Sequence, residues 1–266
     1  MATLTVGAGF GALLLAPALA LAQTPTVTCD DRDWDGDGER FCEIRDFTLP
    51  AGRGPIVIDG GRNGGVRVHA WDRNEIRVFA RVQAHARSDE RAREIAGEVT
   101  IATSGTLEAR GPDTRRRESW SVTFEAFVPT RSDLDLETMN GGIRIEDVHG
   151  RIRFAVTNGG VALTRLGGDV QGRTTNGGIR LTLGGTAWDG AGADVRATNG
   201  GIVLTVPEGY SAHLETGTTN GGLQFDFPVT VQGRLNRRVA MDLGNGGPPI
   251  RAVTVNGGVV VRRPGI

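Results

Sequence analysis

Hydrophobic and polar residues alternate with a period of two along most of this chain, and the alternation restarts after each copy of one tripeptide. Ahead of Asn158, the residues Ile152, Phe154 and Val156 alternate with polar ones; after it, Val161 and Leu163 do the same. That is the period of half-buried strands. The tripeptide is Asn-Gly-Gly, at Asn63, Asn140, Asn158, Asn176, Asn199, Asn220, Asn245 and Asn256. From Asn140 onward the intervals are 18, 18, 23, 21, 25 and 11 residues. A unit of near-constant size that accepts loop insertions predicts a β-repeat array over residues 131–266. Each tripeptide is then a corner between strands: Asn-Gly tolerates positive φ, and a further Gly permits a bulge or a close approach of backbone.

Two all-β architectures fit such corners. If each unit pairs with the next, like positions stack and the chain winds as a β-solenoid of Asn-Gly-Gly rungs. If the strands flanking each corner pair with each other, the chain is an antiparallel hairpin meander or sandwich, for which Asn-Gly between alternating runs is also a strong signal. Thr157, Thr175, Thr198 and Thr219 all precede their Asn. A hairpin has no need of that repetition, whereas a stack lets Thr and Asn form ladders at about 4.8 Å per rung. The solenoid is therefore the expected fold.

Residues 51–130 read as a different, β-rich module that caps the array. Strands are expected at 56–58, 66–71, 75–84, 99–103, 106–110 and 120–128, with clear alternation at Ile76, Val78, Ala80 and Val82. One short helix interrupts them: Ser88 is the N-cap, Asp89 and Glu90 fill the first turn, Ala92, Ile95 and Ala96 share a face, and Gly97 is the stop. Such a module would cover the open edge of the first rung, which would otherwise invite aggregation. Arg115, Arg116 and Arg117 fall in a polar loop and read as a solvated turn. The Val-rich strand at 255–263 is the edge expected to be exposed at the far end.

Composition sharpens this picture. Gly numbers 41 of 266 residues, about twice the usual ~7%, and aromatics are only 5%, so Val, Ile, Leu and Ala must fill a narrow interior. With 30 basic and 31 acidic residues and a net charge of −1, the chain lacks the concentrated basic face of a nucleic-acid binder. All the basic residues are Arg, to which no function attaches.

Residues 1–22 carry an apolar run with Ala20-Leu21-Ala22 before Gln23, which predicts an export signal peptide although no Lys or Arg precedes the run. The run is shorter than the ~20 residues that span a bilayer, so no transmembrane segment is expected in the mature chain. The Gly7-Ala-Gly9-Phe-Gly11 string within it follows no strand and is a false nucleotide-binding fingerprint. Residues 23–50 then form an acidic segment closed by a disulfide between Cys29 and Cys42, the reading that an oxidising destination favours. Inside the loop, Asp31, Asp33, Asp35, Asp37 and Glu39 alternate as at the start of a calcium loop. The twelfth position is Cys42 where the bidentate Glu belongs, so a solvated acidic loop is favoured. Calcium is the alternative, and no other cofactor is indicated.

Catalytic patterns are missing from the sequence. His69, His85, His149 and His213 are scattered without metal-helix spacing, and there is no phosphate loop or nucleophile elbow. The pairs Asp133 with Asp135 and Glu146 with Asp147 could serve polysaccharide hydrolysis, yet nothing separates them from surface acids. Four features carry a resemblance over residues 45–263: Trp71-Asp72 after a Gly-rich strand, an Arg-rich long strand, a Ser-Asp-Glu helix, and repeated Thr-Asn-Gly-Gly units. Together they resemble the bacterial "putative adhesin" family of unknown function. The resemblance implies an exported β-repeat protein acting in adhesion or envelope architecture, with no catalytic or cofactor residues to carry over.

The expectation is thus an exported, non-enzymatic binder in the periplasm, on the cell surface or secreted. Its partner would be a glycan, an envelope component or a second copy of itself. A polysaccharide-acting enzyme on a similar scaffold is the alternative.

Overall fold

A computed structural model describes residues 25–29, 38–228 and 237–265. The expected signal peptide and Asp31, Asp33, Asp35 and Asp37 lie outside these residues; Glu39 is exposed at the start of the first strand. The amino-terminal part contains β1 (Glu39–Pro50), β2 (Ile56–Asp59), β3 (Val66–Trp71), β4 (Glu75–Ala86), helix α1 (Asp89–Glu98), β5 (Thr100–Ala102), β6 (Thr106–Arg110) and β7 (Ser119–Pro129). The repeats follow as β8 (Leu134–Asn140), β9 (Ile143–Glu146), β10 (His149–Asn158), β11 (Val161–Thr164), β12 (Gly167–Asn176), β13 (Ile179–Thr182), β14 (Gly192–Asn199) and β15 (Ile202–Thr205). The last elements are β16 (Ala212–Asn220), β17 (Leu223–Phe225), β18 (Arg238–Leu243), β19 (Pro249–Asn256) and β20 (Val259–Arg262).

The solenoid arrangement is the one found. Strands that end at an Asn pair in parallel and in register with their counterparts in the next coil, so that Ile152 sits beside Val170 and Asn158 beside Asn176. The short strands after each Gly pair stack likewise, Val161 beside Ile179 and Leu163 beside Leu181. Two ten-stranded sheets result, one of long strands and one of mostly short ones. Their inward residues form aliphatic ladders: Ile145, Leu163, Leu181 and Leu204 are fully buried. The ring of Phe154 enters this interior because it lies in register with Gly172, which leaves it room.

Three expectations are corrected. First, stack order is not chain order: β19 and β20 insert between the coil of β14–β15 and the coil of β16–β17. The 255–263 strand is consequently interior, and among the described residues the edge strands at this end are three-residue β17 and antiparallel β18. Second, Asn245 does not stack; it sits in the tight turn between β18 and β19, where Gly244, Gly246 and Gly247 have positive φ. Third, β2 and β3 are themselves a coil, pairing in parallel with β8 and β9, so the stack starts at Ile56 and crosses the expected boundary at 130.

The capping module is built on the next layer. β6 and β7 pair in parallel with β2 and β3 as an irregular coil, and β5, β4 and β1 close the ends with antiparallel pairing. Strand β1 was not expected, since residues 39–50 alternate only toward their end. Helix α1 is capped by Ser88, whose side chain accepts from the Arg91 N–H at 3.3 Å. Ala92, Ile95 and Ala96 are buried, and the helix runs through Gly97 to Glu98 rather than stopping there.

Candidate functional site

Three surfaces are presented by the stack, and the corners decide how they differ. Along the corner edge, the amide of Asn140 donates to the Asn63 side-chain oxygen at 3.2 Å, Asn158 to Asn140 at 2.7 Å, and Asn176 to Asn158 at 2.7 Å. Asn199 donates to Asn176 at 2.9 Å, Asn256 to Asn199 at 2.8 Å, and Asn220 to Asn256 at 2.9 Å. Stacking in register is what aligns these donors and acceptors. None of the seven Asn has positive φ, and of their glycines only Gly257 falls in the left-handed range. The corner residues are therefore chosen for the ladder and for close approach, not for the turn conformation that sequence reasoning invoked.

Thr residues contribute differently from what the sequence suggested. Thr157, Thr175, Thr198 and Thr219 are exposed. The working hydroxyls are one position earlier in the strand: Thr174 donates to the Gly159 carbonyl at 3.0 Å, Thr254 to Gly200 at 2.7 Å, and Thr218 to Gly257 at 2.7 Å. Each satisfies a backbone acceptor of the neighbouring coil in a dry interior, where an orphan carbonyl is costly. The Thr-Thr dipeptides at 174–175 and 218–219 held this signal; the inner Thr faces the core and the outer one water.

The outer face of the long sheet carries several pairs of opposite charges, although Arg173 and Arg196 stand side by side. Arg151 pairs with Asp133 at 2.7 Å, Arg153 with Asp169 at 2.9 Å, and Arg196 with Asp194 at 2.6 Å. At the second corner, Asp147 and Arg165 both take positive φ and pair across coils at 2.6 Å. Of the carboxylates considered for hydrolysis, Asp133 and Asp147 are thus held in ion pairs, and the Asp133 carboxyl lies below its usual range because the Arg151 backbone and guanidinium both donate to it. Glu146 lies 3.3 Å from His69 Nδ1, and Asp135 is exposed on the long sheet.

The outer face of the short sheet is unlike the other. A shallow trough of about 620 Å³ runs along the second glycine of successive corners, Gly65, Gly142, Gly160, Gly178 and Gly201, flanked by Arg67, Arg81, Arg144 and Arg180. No Asp or Glu lines it among the described residues.

A strap crosses the outer face of the short sheet beside the trough. Thr26 and Val27 donate their backbone N–H groups to Glu125 at 2.8 and 2.9 Å, and the Thr26 hydroxyl donates to it at 2.7 Å. Val27 is buried against Trp71, Phe79 and Phe127. Arg67 donates to the Thr26 hydroxyl at 3.0 Å and Arg81 to the Thr28 carbonyl at 3.1 Å. Cys29 joins Cys42, fastening the strap to β1. Glu125 is fully buried. That burial pushes its carboxyl up, but His69 and the strap's donors outweigh it and hold it at about 2. His69 Nε2 lies 3.2 Å from Glu125, in ion-pair reach though out of line for a hydrogen bond. Sequence reading treated Glu125 as one more strand residue; only the fold brings it to the strap.

The remaining histidines are apart from one another: His149 lies 3.3 Å from Asp189 and His213 2.7 Å from Asp242. Among the described residues no group of three or more His, Cys, Asp or Glu is arranged to hold a metal ion. No helix among them is long and apolar enough to cross a membrane.

A family model described as Toastrack DUF4097 matches residues 80–262. The chain belongs to the Toastrack family. Solved structures similar to this Toastrack protein include a putative cell adhesion protein from Clostridium sporogenes, 7% identical, with 85% of this chain and 100% of that one covered and a TM-score of 0.43. A putative adhesin from Parabacteroides merdae is 11% identical over 85% and 98% of the two chains, with a TM-score of 0.38. A putative adhesin from Bacteroides fragilis is 10% identical over 86% and 100%, with a TM-score of 0.30. No curated protein matches.

Proposed function

We propose that this Toastrack protein is an exported, non-enzymatic binding protein that presents a rigid, periodic β surface, as an adhesin or a structural element of the cell envelope. The observation that carries the reading is the unbroken Asn ladder from Asn63 to Asn220. It locks seven coils of the described residues in one register, so outward positions recur at about 4.8 Å on two extended faces. Such a surface meets a repetitive partner at many equivalent points, and many weak contacts add to a useful affinity. Export is supported by the Cys29–Cys42 bond, since disulfides persist in oxidising compartments, and by the apolar run at 11–22. The Arg partners of Asp133 and Asp147 leave neither carboxylate poised as a general acid.

The test is retention of the purified mature protein on isolated envelope material and on polysaccharide panels, with reducing ends assayed in parallel. Retention without product release is the expected result. Release of sugar would establish the polysaccharide-acting enzyme instead.

A further inference from the structure

We propose that the short-sheet trough is a binding site for an extended acidic glycan, a linear polyuronate lying along the stack axis; this rests on the binding-protein reading above. Three observations converge on it.

The first is a column of like charges, in which only Arg67 has an acid, Glu125, as its other register partner. Arg67 and Arg144 are direct register partners on adjacent strands, and Arg180 occupies the same column two coils beyond Arg144. Like charges directly opposite each other on neighbouring strands destabilise a sheet. On the long sheet Arg151 and Arg153 each stand beside an Asp, and where Arg173 meets Arg196 the latter is held by Asp194 two residues away. Within the column, Arg144 reaches a carboxylate only at 3.5 Å, from Glu146, and Arg180 forms no ion pair among the described residues. Arg67 serves the strap through Thr26, but Arg144 and Arg180 leave most of their charge to the trough, where an anionic polymer would meet it.

The second is bare floor. At Gly160, in the middle of the trough, an added Cβ would meet its nearest neighbour at 3.7 Å, so the packing leaves space there for a side chain. Gly160 has no left-handed φ. Glycine at this position leaves the trough open and lets a ligand approach the backbone closely.

The third is spacing and lining. Coils repeat at about 4.8 Å, so Arg144 and Arg180 stand about 10 Å apart, suited to carboxylates on alternate sugars of an extended chain. Each guanidinium can take a carboxylate in a two-pronged contact, while Ala162 and Val203 offer apolar ground to sugar C–H faces. No aromatic ring lines the trough, which disfavours nucleic acid, whose single strands bind by stacking on such rings.

The experiment measures binding of the purified mature chain to polygalacturonate oligomers by calorimetry. Neutral oligosaccharides of equal length, polyphosphate and single-stranded DNA are run beside them, with wild type, Arg144→Ser/Arg180→Ser and Gly160→Leu compared. Expected are binding to the acidic oligomers alone, a loss of at least about tenfold in both variants, and unchanged melting of Gly160→Leu. No polygalacturonate binding, or binding that both variants retain, overturns the site. Equal or tighter binding of polyphosphate or DNA overturns the glycan assignment. If both variants still hold envelope material as the wild type does, the trough is wrong and the broader binding role survives.

Discussion

The two glycines of each corner do opposite work. A Cβ on the first, at Gly141, Gly159, Gly177, Gly200 or Gly221, would fall deep inside the van der Waals radius of a backbone carbonyl in the neighbouring coil. A Cβ on the second has room at Gly160 and Gly222 and meets a tighter fit, at 3.0 to 3.2 Å, at Gly65, Gly142, Gly178 and Gly201. One row is thus dictated by close approach of coils and the other, in part, is not. Adjacent identical letters in the sequence carry different physical warrants, and the position with the weaker structural demand is the one that shapes a binding surface.

The widest separation is expected between Gly159→Ala and Gly160→Ala. Gly159→Ala forces its coil away from the Gly141 carbonyl and breaks the Asn140 and Asn158 rung, costing on the order of 3–5 kcal/mol. Gly160→Ala keeps the fold and should change stability by less than about 1 kcal/mol, since it also lowers the entropy of the unfolded chain. Urea unfolding of both proteins measures this. Equal losses would show that the two rows are under the same packing constraint.

Glu125 tests whether the strap beside the trough is separable from the stack. Its folded carboxyl, at about 2, lies below the ordinary 4.5. A depressed value means stabilisation that is complete above about pH 4.5, declines as pH falls, and is gone below about pH 2. The difference is worth about 3 kcal/mol. Glu125→Gln should lower stability by about 2–3 kcal/mol at pH 7. The gap between mutant and wild-type melting temperatures should then close as pH falls from 5 to 2. A gap that stays constant with pH would assign the loss to packing and not to the charge.

Thr174→Val removes the buried hydroxyl that serves the Gly159 carbonyl while keeping its volume. The expected cost is about 1–3 kcal/mol, the penalty of an unsatisfied buried acceptor. Thr175→Val, one residue along and exposed, should be nearly silent in the same thermal melts. Comparable effects would mean that both Thr columns support the ladder.

Much of this fold was legible because the corner recurs. Alternation fixed which residues face inward, and β3 and β6 lie at the expected residues. Stack order was not legible, since parallel coils of one pattern accept one another in any sequence. Nothing local in residues 249–262 says that they lie between Asn199 and Asn220. Asn245 misled for the converse reason: the alternating strand ahead of it, β18, runs antiparallel to β16, so the tripeptide makes the turn into β19 and joins no rung. Glu125 and the Arg column were invisible because their meaning depends on neighbours about 40 to 100 residues away in sequence, which only the wound chain assembles.

The smallest effect is expected where the repeat is most conspicuous. Asn176 both donates to Asn158 and accepts from Asn199, yet its side chain is exposed. Water can replace much of what Asn176→Ala removes, so the cost should be about 1 kcal/mol, below that of Thr174→Val two residues earlier. Hydrogen exchange at the Gly177 amide, which donates to the Asn199 carbonyl at 3.0 Å, would read the local consequence. Faster exchange confined to that rung would mean that each Asn secures its own corner, while acceleration along the whole edge would make the ladder one cooperative element. In the first case stability resides in the buried aliphatic columns and the first glycine row, and the Asn edge mainly enforces register. That division leaves the outer faces free to vary without loss of the stack.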